Sequence, residues 1–294
     1  MPGNGQFTRF LDVSRDGNRL LTVADTGQAG FVLWDLAKKQ RLWELSLADH
    51  RQVSRAALHP AGTLVALAER NGEVTLWDVN TRKLKTTLGK LTGAFDLVSF
   101  NQNDQLLVTI RNGQSKLWNS SSGQEIPLAT KLRNILAVLP DGKHVLYSKK
   151  NPRLYMTSLH ENIFVLADLQ SGETVQEYPF MCAYSITPYG IWMALAGFDN
   201  SPKPQVIIQL IDLETGKVVM TTAPFPGSVG DVALSPDGSE IAFIQYMGNP
   251  ISVYEARTGK LLRTLRGHTS YINSLIYLQP GRLASCAWDN TVRI

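Results

Sequence analysis

A short phrase of aliphatic residues that ends in Trp-Asp, or in residues standing in its place, recurs along this chain of 294 residues. The residues at the Trp position lie 41 to 49 residues apart, and they are Trp34, Trp77, Trp118, Ala167, Ile211 and Tyr254. A polar turn before each phrase keeps the same spacing, and its marker residues are Gly17, Gly62, Asp104, Gly142, Gly190, Gly238 and Gly281. Two markers in phase over seven repeats indicate a repeat architecture.

Each repeat reads as four short antiparallel strands. In the sixth repeat, "VGDVALS" precedes the Asp-Gly turn, "SEIAFIQ" follows it, and the phrase and a more exposed strand complete the unit. No convincing helical periodicity interrupts these strands, which excludes alternating strand-helix units. A single small sheet cannot bury both faces, but sheets stacked radially can bury face against face. The sequence therefore predicts one seven-bladed, all-β propeller over residues 1–294.

The last repeat, "GHTSYINSLIYLQPGRLASCAWDNTV" at 267–292, most fully resembles the WD-repeat (WD40) β-propeller family. The resemblance covers nearly the whole chain and implies a buried hydrogen-bonded network formed here by His268, Ser285 and Asp289. It also implies that the strand tryptophans are structural, and these are Trp34, Trp77 and Trp118. Only this repeat carries a Gly-His pair. The chain is therefore similar to a degenerate member, in which several blades are held by apolar packing.

The Trp288-Asp289 pair is not the dipeptide of that family, because it follows the Gly281 turn where other repeats end their second strand. The spacing between Trp77 and Trp118 would place the next Trp position one residue beyond Ile294. We therefore expect a seventh blade without the end of its third strand and without its fourth. An unpaired third strand is an exposed edge. We expect that the chain is a piece of a longer protein or that another segment completes the blade.

Composition and motifs argue against several classes of function. The net charge of +4 is mild for a nucleic-acid binder, and no apolar run is long enough to span a membrane. The N-terminus lacks the features of a secretory signal, and two cysteines predict buried thiols in a reducing, cytoplasmic environment. The five histidines fall in different repeats, and no hydrolase, phosphate-loop or metal-ligand motif is present. We therefore expect no metal, no cofactor and no catalytic residues.

The mouth of the central channel is one candidate partner-binding surface. Alignment of the repeats on their turns places one residue of each repeat at the start of the innermost strand: Arg9, Ser54, Asp96, Asn134, Cys182, Gly230 and Asn273. Most are polar, and with Arg55 they form a mixed rim. The alternative is a solvated rim without a partner.

Two long loops form the second candidate surface. The fourth and fifth repeats carry additional residues between their second and third strands, at 148–162 and 197–205. Adjacent blades would raise them as one crest beside the channel mouth, which carries Lys149, Lys150, Arg153, Tyr155 and Lys203. Cations and aromatic groups are typical of interface anchors, which favours an acidic partner. The alternative is a longer hairpin without a function, since loops tolerate insertion.

These observations predict a non-catalytic scaffold or recognition domain that binds another protein or peptide, within a larger signalling or assembly protein. The alternative is a propeller enzyme with a metal or small-molecule site in the central channel. A bound metal ion at the channel would favour the enzyme.

Overall fold

The computed structural model describes residues 8–24, 30–46, 53–110, 113–149, 163–188, 190–245 and 249–294, with the backbone alone at 8–11 and 24. The described residues form seven separate antiparallel sheets, six of four strands and one of three. In each sheet, strands that are consecutive in sequence are also neighbours in space. The predicted seven-bladed all-β propeller is confirmed.

The strands fall into four classes by their order within a blade. The first strands are β1 (Thr8–Val13), β5 (Val53–Leu58), β9 (Phe95–Phe100), β13 (Ile135–Val138), β17 (Met181–Ile186), β21 (Asp231–Leu234) and β25 (Ile272–Gln279). The second strands are β2 (Arg19–Ala24), β6 (Leu64–Glu69), β10 (Gln105–Ile110), β14 (His144–Ser148), β18 (Trp192–Phe198), β22 (Glu240–Ile244) and β26 (Arg282–Ala287).

The third strands contain the Trp positions, and the fourth strands lie outermost. The third strands are β3 (Phe31–Asp35), β7 (Glu73–Asp78), β11 (Ser115–Asn119), β15 (Ile163–Asp168), β19 (Val206–Asp212), β23 (Ile251–Glu255) and β27 (Val292–Arg293). The fourth strands are β4 (Gln40–Leu45), β8 (Lys83–Lys90), β12 (Glu125–Ile126), β16 (Thr174–Pro179), β20 (Lys217–Thr221) and β24 (Leu261–Leu265).

The core lies between the blades. Within the described part of the chain, each of seven apolar clusters joins one pair of neighbouring blades. Second strands such as β6 are buried along their whole length, because both of their faces meet another blade. The ring closes where Leu278 and Cys286 of blade 7 pack with Leu20 and Trp34 of blade 1. Hydrophobic burial between sheets therefore holds the ring together.

The turns between first and second strands meet one another on one face of the ring, which we call the turn face. The backbone N–H of Arg15 donates to the carbonyl of Pro60 at 2.7 Å, and Asn103 Nδ2 donates to the carbonyl of Pro140 at 2.8 Å. Asp104 takes the place of the turn glycine in blade 3 with a φ of 56°, which aspartate tolerates better than most residues.

The opposite face, which we call the loop face, carries two kinds of connection. These are the loops between second and third strands and the segments that lead from one blade to the next. They meet directly, because Leu91 N donates to Gly72 O at 2.8 Å and Asn134 N donates to Gly113 O at 2.9 Å. The long loop of blade 5, at 199–205, belongs to this face, and residues 150–162 of the blade 4 loop lie outside the described residues.

Blade 7 has three strands, as predicted. β27 pairs with β26 on one side, with Cys286 opposite Val292. Among the described residues, no strand lies on the other side of β27. β27 is therefore the outermost described strand of this blade.

Candidate partner-binding surfaces

His268 is at the centre of a hydrogen-bonded network in blade 7. Its Nδ1 lies 2.8 Å from Asp289 Oδ2, and its Nε2 lies 2.8 Å from Ser285 Oγ. Thr269 N donates to Asp289 Oδ2 at 3.0 Å, and Thr291 Oγ1 donates to Asp289 Oδ1 at 2.6 Å. The network ties the segment entering blade 7 to the turn between β26 and β27, which gives it a structural role.

Several hydrogen-bond donors stabilise the negative charge of Asp289 in this network. Burial acts to raise the pKa of Asp289, but hydrogen bonds from Thr291, Thr269 and His268 outweigh it and lower the pKa to about 2. The carboxylate is therefore ionised at neutral pH. A buried charge of this kind is tolerated because all of its neighbours donate to it.

The strand tryptophans lie in the core at blade interfaces. Trp34 Nε1 donates to Thr22 Oγ1 at 3.1 Å, and Trp77 Nε1 donates to Thr75 Oγ1 at 3.0 Å. Trp118 is buried in the cluster between blades 2 and 3. Each indole supplies apolar area to the core, and two of them also bond a threonine of their own blade.

The residues aligned at the channel mouth do lie at or beside the starts of the first strands. The side chain of Arg9 is outside the described residues. Arg55 donates through Nε to the carbonyl of Asp96 at 3.2 Å and through Nη1 to the carbonyl of Ser54 at 2.9 Å. It therefore links blade 2 to blade 3. Asn273 is half-buried at the start of β25.

Asn134 and Cys182 are also at this rim. Asn134 adopts a φ of 51°, and its Nδ2 donates to Ser148 O at 3.4 Å, so it shapes the entry into blade 4. Cys182 is half-buried and not buried as expected, whereas Cys286 is buried, and burial raises the pKa of the Cys286 thiol to about 12. These side chains serve local structure as well as the rim.

The two long loops are only partly within the described residues. Lys150, Arg153 and Tyr155 lie outside them. Lys149 forms an ion pair with Glu177 of β16, and this hydrogen bond raises the pKa of Lys149. Lys203 is exposed, and its carbonyl accepts from Ser201 Oγ at 2.8 Å. The blade 5 loop is further fixed by Asp199, which accepts from Gln205 N at 2.9 Å.

A groove of about 650 Å³ lies between blade 6 and blade 7, beside β27, the outermost described strand of blade 7. Its lining residues are Asn249, Ile251, Leu265, Arg266, Gly267, His268, Ile272, Leu283, Ser285, Thr291, Val292, Arg293 and Ile294. Six of these thirteen residues are aliphatic, and two are arginines. Sequence reasoning missed this surface. The signal that could have found it is the run "KLLRTLR" at 260–266, an outer strand with three leucines.

Comparison with known proteins tests the resemblance to the WD-repeat family. The fold matches the β-propeller domain of Cps50 (Swd1) from Myceliophteria thermophila with a TM-score of 0.74 at 15% identity, over 98% of this chain and 95% of that chain. The family model of the WD domain, G-beta repeat, matches residues 259–294, which include the His268 network. The last repeat is thus a WD repeat by its sequence, and these matches support a β-propeller of the WD-repeat kind.

Curated relatives of this WD-repeat propeller include an uncharacterised WD repeat-containing protein of Synechocystis sp., 32% identical over 38% of this chain and 30% of that protein. Pre-mRNA-processing factor 17 of Mus musculus is 22% identical over 88% of this chain and 52% of that protein. The LST8 homolog of Drosophila pseudoobscura pseudoobscura is 22% identical over 50% of this chain and 47% of that protein. The chain thus spans about half or less of the length of these relatives.

The described residues also bear on metal binding and on membrane insertion. In that part of the propeller, no group of three or more His, Cys, Asp or Glu side chains is arranged to hold a metal ion. The same residues contain no helix long and apolar enough to cross a bilayer.

Two half-buried aspartates join the first strands of neighbouring blades, and sequence reasoning missed both. Asp12 Oδ2 accepts from Leu58 N at 2.8 Å, between blades 1 and 2. Asp231 Oδ2 accepts from Leu275 N at 2.9 Å, between blades 6 and 7. Burial raises the pKa of each acid to about 6, against the lowering effect of these hydrogen bonds. An aspartate inside an apolar first strand is the signal that could have identified them.

Proposed function

We propose that this propeller is a non-catalytic protein-interaction scaffold within a larger signalling or assembly protein. The observation that carries the proposal is exposed aliphatic surface on the outer strands of blades 5 and 6. Val218 and Val219 of β20 are 42% and 49% exposed, and Leu261 and Leu262 of β24 are 50% and 46% exposed. Exposed aliphatic side chains that cluster on the surface mark sites of protein contact.

The placement of the polar groups supports this proposal. The imidazole, hydroxyl and carboxylate groups of the His268 network and the Trp34–Thr22 and Trp77–Thr75 pairs are engaged within the blades. These groups stabilise the fold, so the exposed surface is left for recognition. Autophagy-related protein 16 of Arabidopsis thaliana is also similar to this chain, at 27% identity over 67% of it. Its name and that of pre-mRNA-processing factor 17 come from different processes, which supports a shared framework over a shared reaction.

We further propose that the partner is another protein or peptide with acidic groups, met in the cytoplasm. Arg55, Lys149 and Lys203 lie on the loop face, and the chain as a whole carries a net charge of +4. A mild excess of positive charge steers an acidic surface toward the propeller without the strong field that nucleic-acid binding requires.

The test is capture of the binding partner by immobilised propeller. The double variant Val219→Glu/Leu262→Glu places charge in the exposed aliphatic surface and should abolish capture. Leu84→Glu is the matched control, because Leu84 is exposed on the outer strand of blade 2. Circular dichroism should show that both variants fold. Undiminished capture by the double variant would refute a role for this surface.

The loop face is tested separately. Replacement of Lys149, Lys150 and Arg153 by alanine should weaken capture if the crest contributes to recognition. Metal analysis of the purified protein tests the non-catalytic part of the proposal, because a stoichiometric ion in the central channel would contradict it.

A further inference from the structure

The outermost strand of blade 6, β24, is exposed along its whole length. All five residues of Leu261–Leu265 are exposed, whereas the outer strands of blades 1, 4 and 5 each bury at least one residue. Its three leucines, Leu261, Leu262 and Leu265, are 50%, 46% and 37% exposed. Large aliphatic side chains that cluster at a surface in this way mark a contact site.

The outer edge of β24 has no neighbouring strand among the described residues. β24 pairs with β23 on one side, from Tyr254 opposite Leu261 to Ile251 opposite Leu265. Beyond this pairing, no backbone hydrogen bond joins residues 261–265 to another described residue. In an edge strand, backbone N–H and C=O groups point away from the sheet. The edge of β24 therefore offers these groups to one further strand.

Other outer strands carry features that discourage such pairing. Three of the eight residues of β8 are lysines, β12 is only two residues long, β16 ends at Pro179 and β20 begins at Lys217. Lysine, proline and short length are common ways in which proteins protect a sheet edge. β24 has five residues and contains neither lysine nor proline. Its one charged residue, Arg263, is bound to Glu240 at 2.7 and 2.8 Å, so this charge does not guard the edge.

Positive charge lies at the two ends of β24. Lys260 precedes the strand, Arg266 follows it, and both are exposed. Neither forms an ion pair with another described residue. The turn before β24 adds Arg257 and one acid, Glu255, so positive charge is in excess. Because Arg263 is already neutralised, a strand laid along β24 would meet positive charge at its ends and aliphatic surface between them.

We propose that β24 binds one extended segment of a partner protein, a short aliphatic strand with acidic residues at both of its ends. The segment adds to blade 6 as a fifth strand, lays its aliphatic side chains beside Leu261, Leu262 and Leu265, and places its carboxylates beside Lys260 and Arg266. The inference rests on the proposed scaffold function, and it names the strand, the binding mode and the partner chemistry.

A second copy of this chain fits this edge less well. Two β24 strands paired antiparallel across a two-fold axis would bring Lys260 of each copy beside Arg266 of the other. Like charges opposed in this way are unfavourable. A partner segment with acidic ends replaces this repulsion with attraction.

The experiment uses a fluorescein-labelled synthetic peptide with two acidic residues at each end and alternating valine and threonine between them. It is titrated with the 294-residue chain while fluorescence anisotropy is measured. Lys260→Glu/Arg266→Glu should weaken binding by about ten-fold or more, because it reverses the charge at both ends of β24. The matched control Lys83→Glu/Lys90→Glu reverses the exposed lysines at both ends of β8, and it should stay within about two-fold of the unchanged protein.

Two further measurements distinguish strand addition from side-chain contact alone. Hydrogen exchange should slow in residues 261–265 when the peptide binds, because amides of the outer edge then donate to the added strand. The same peptide with N-methyl groups on its central residues cannot donate backbone hydrogen bonds to β24, and it should bind about ten-fold more weakly or worse. Circular dichroism should show that both charge variants fold.

Four results would overturn the inference. The first is equal binding of the N-methylated and unmethylated peptides, and the second is equal binding of the peptide to the unchanged protein and to the Lys260/Arg266 variant. The third is equal binding of a peptide with lysine at its ends. The fourth is a dimer in sedimentation whose formation protects residues 261–265, since the occupant would then be a second copy. If the peptide fails to bind while the Val219/Leu262 surface still captures a partner, the strand inference fails and the scaffold proposal stands.

Discussion

Two blade interfaces, 4/5 and 6/7, involve similar outer strands. They differ in how far the next blade covers that strand. At the 4/5 interface, Tyr178 is buried beneath blade 5. Its hydroxyl donates a hydrogen bond to the carbonyl oxygen of Gly216, in a turn of blade 5, at 2.9 Å. At the second, Leu265 occupies the equivalent position and remains exposed. Burial of an outer strand is therefore decided by the next blade and not by the strand itself.

A polar cluster replaces apolar packing at the open interface. Arg263 of β24 pairs with Val253, and the equivalent residue of blade 5 is Met220, which is buried. Arg263 instead forms a two-pronged ion pair with Glu240 at 2.7 and 2.8 Å. Tyr277 of blade 7 also donates to Glu240, at 3.1 Å. Arginine can occupy this position because its head group reaches a partly buried carboxylate, whose pKa it lowers.

The largest loss of stability should come from a change at Tyr178, which blade 5 covers. Tyr178→Ala removes a buried ring and a hydrogen bond, and it should lower the free energy of unfolding by about 3 to 4 kcal/mol. Leu265→Ala at the open interface should lower it by about 1 kcal/mol or less, because this side chain is partly hydrated in the native state. Urea denaturation of both variants measures the difference, and equal losses would contradict the comparison.

The next effect concerns two His-Asp pairs. His268 and Asp289 have side chains 2% and 6% exposed, whereas Asp104, the partner of His59, has a side chain that is 55% exposed. Asp289→Asn should cost about 2 kcal/mol, since it removes a buried charge that several groups donate to. Asp104→Asn should cost under about 1 kcal/mol. Thermal denaturation at neutral pH measures both, and a larger loss for Asp104→Asn would show that burial does not set the difference.

A smaller effect is the pH dependence of stability, which should differ in sign between Asp231 and Asp289. The pKa of Asp231 is raised from 3.8 to about 6, so between these values the native state binds more protons than the unfolded state. Its contribution to stability therefore falls as pH rises through this window. Asp231→Asn should raise stability at pH 7 by about 1 to 2 kcal/mol relative to the unchanged protein and leave it nearly unchanged near pH 4.

Asp289 serves as a control, because its contribution to stability should change with pH in the opposite direction. Its pKa is lowered from 3.8 to about 2, so its stabilisation is present above pH 4 and is lost as pH falls through 2. Asp289→Asn should therefore destabilise the protein most at neutral pH and progressively less in acid. Urea denaturation of both variants between pH 3 and 7 measures the two trends. A gain at pH 7 for Asp289→Asn, or a loss for Asp231→Asn, would refute these assignments.

The smallest effect is expected on the exposed aliphatic surface. Leu262→Thr should change the free energy of unfolding by less than about 0.5 kcal/mol, because the side chain makes few buried contacts. Val253→Thr on the neighbouring strand should cost more than about 1 kcal/mol, since Val253 is buried. Similar losses for the two variants would mean that Leu262 is covered in solution.

The repeat allowed the fold to be predicted in some detail. The markers at Gly142 and Gly238 both lie in turns with positive φ, at 69° and 72°, and each joins a first strand to a second strand. The spacing also predicted an incomplete blade 7, and the described residues of that blade form three strands. The four-strand pattern did not predict that β12 would shrink to Glu125–Ile126. There the segment beyond Ile126 packs Leu132 against blade 4 in place of a longer strand.

The candidate sites could be predicted only in part. The resemblance indicated which residues would form the His268 network, and the alignment of repeats found the start of each first strand. It did not show that Arg55 bonds the backbone of blade 3 or that Lys149 is held by Glu177. Both contacts join residues far apart in sequence. The partner-binding roles of the channel mouth and the crest stay predictions.

The sequence by itself determined the repeat, the number of blades and the incomplete last blade, because these follow from local strand and turn signals in a fixed spacing. Only the tertiary structure decided which surfaces are covered. Asp12 and Asp231 are desolvated enough for their pKa values to rise, and Leu265 stays exposed, because the neighbouring blade sets the surroundings of each and local sequence does not describe it. In a propeller each blade buries the faces of its neighbours, so the environment of a side chain depends on the adjacent repeat as well as on its own.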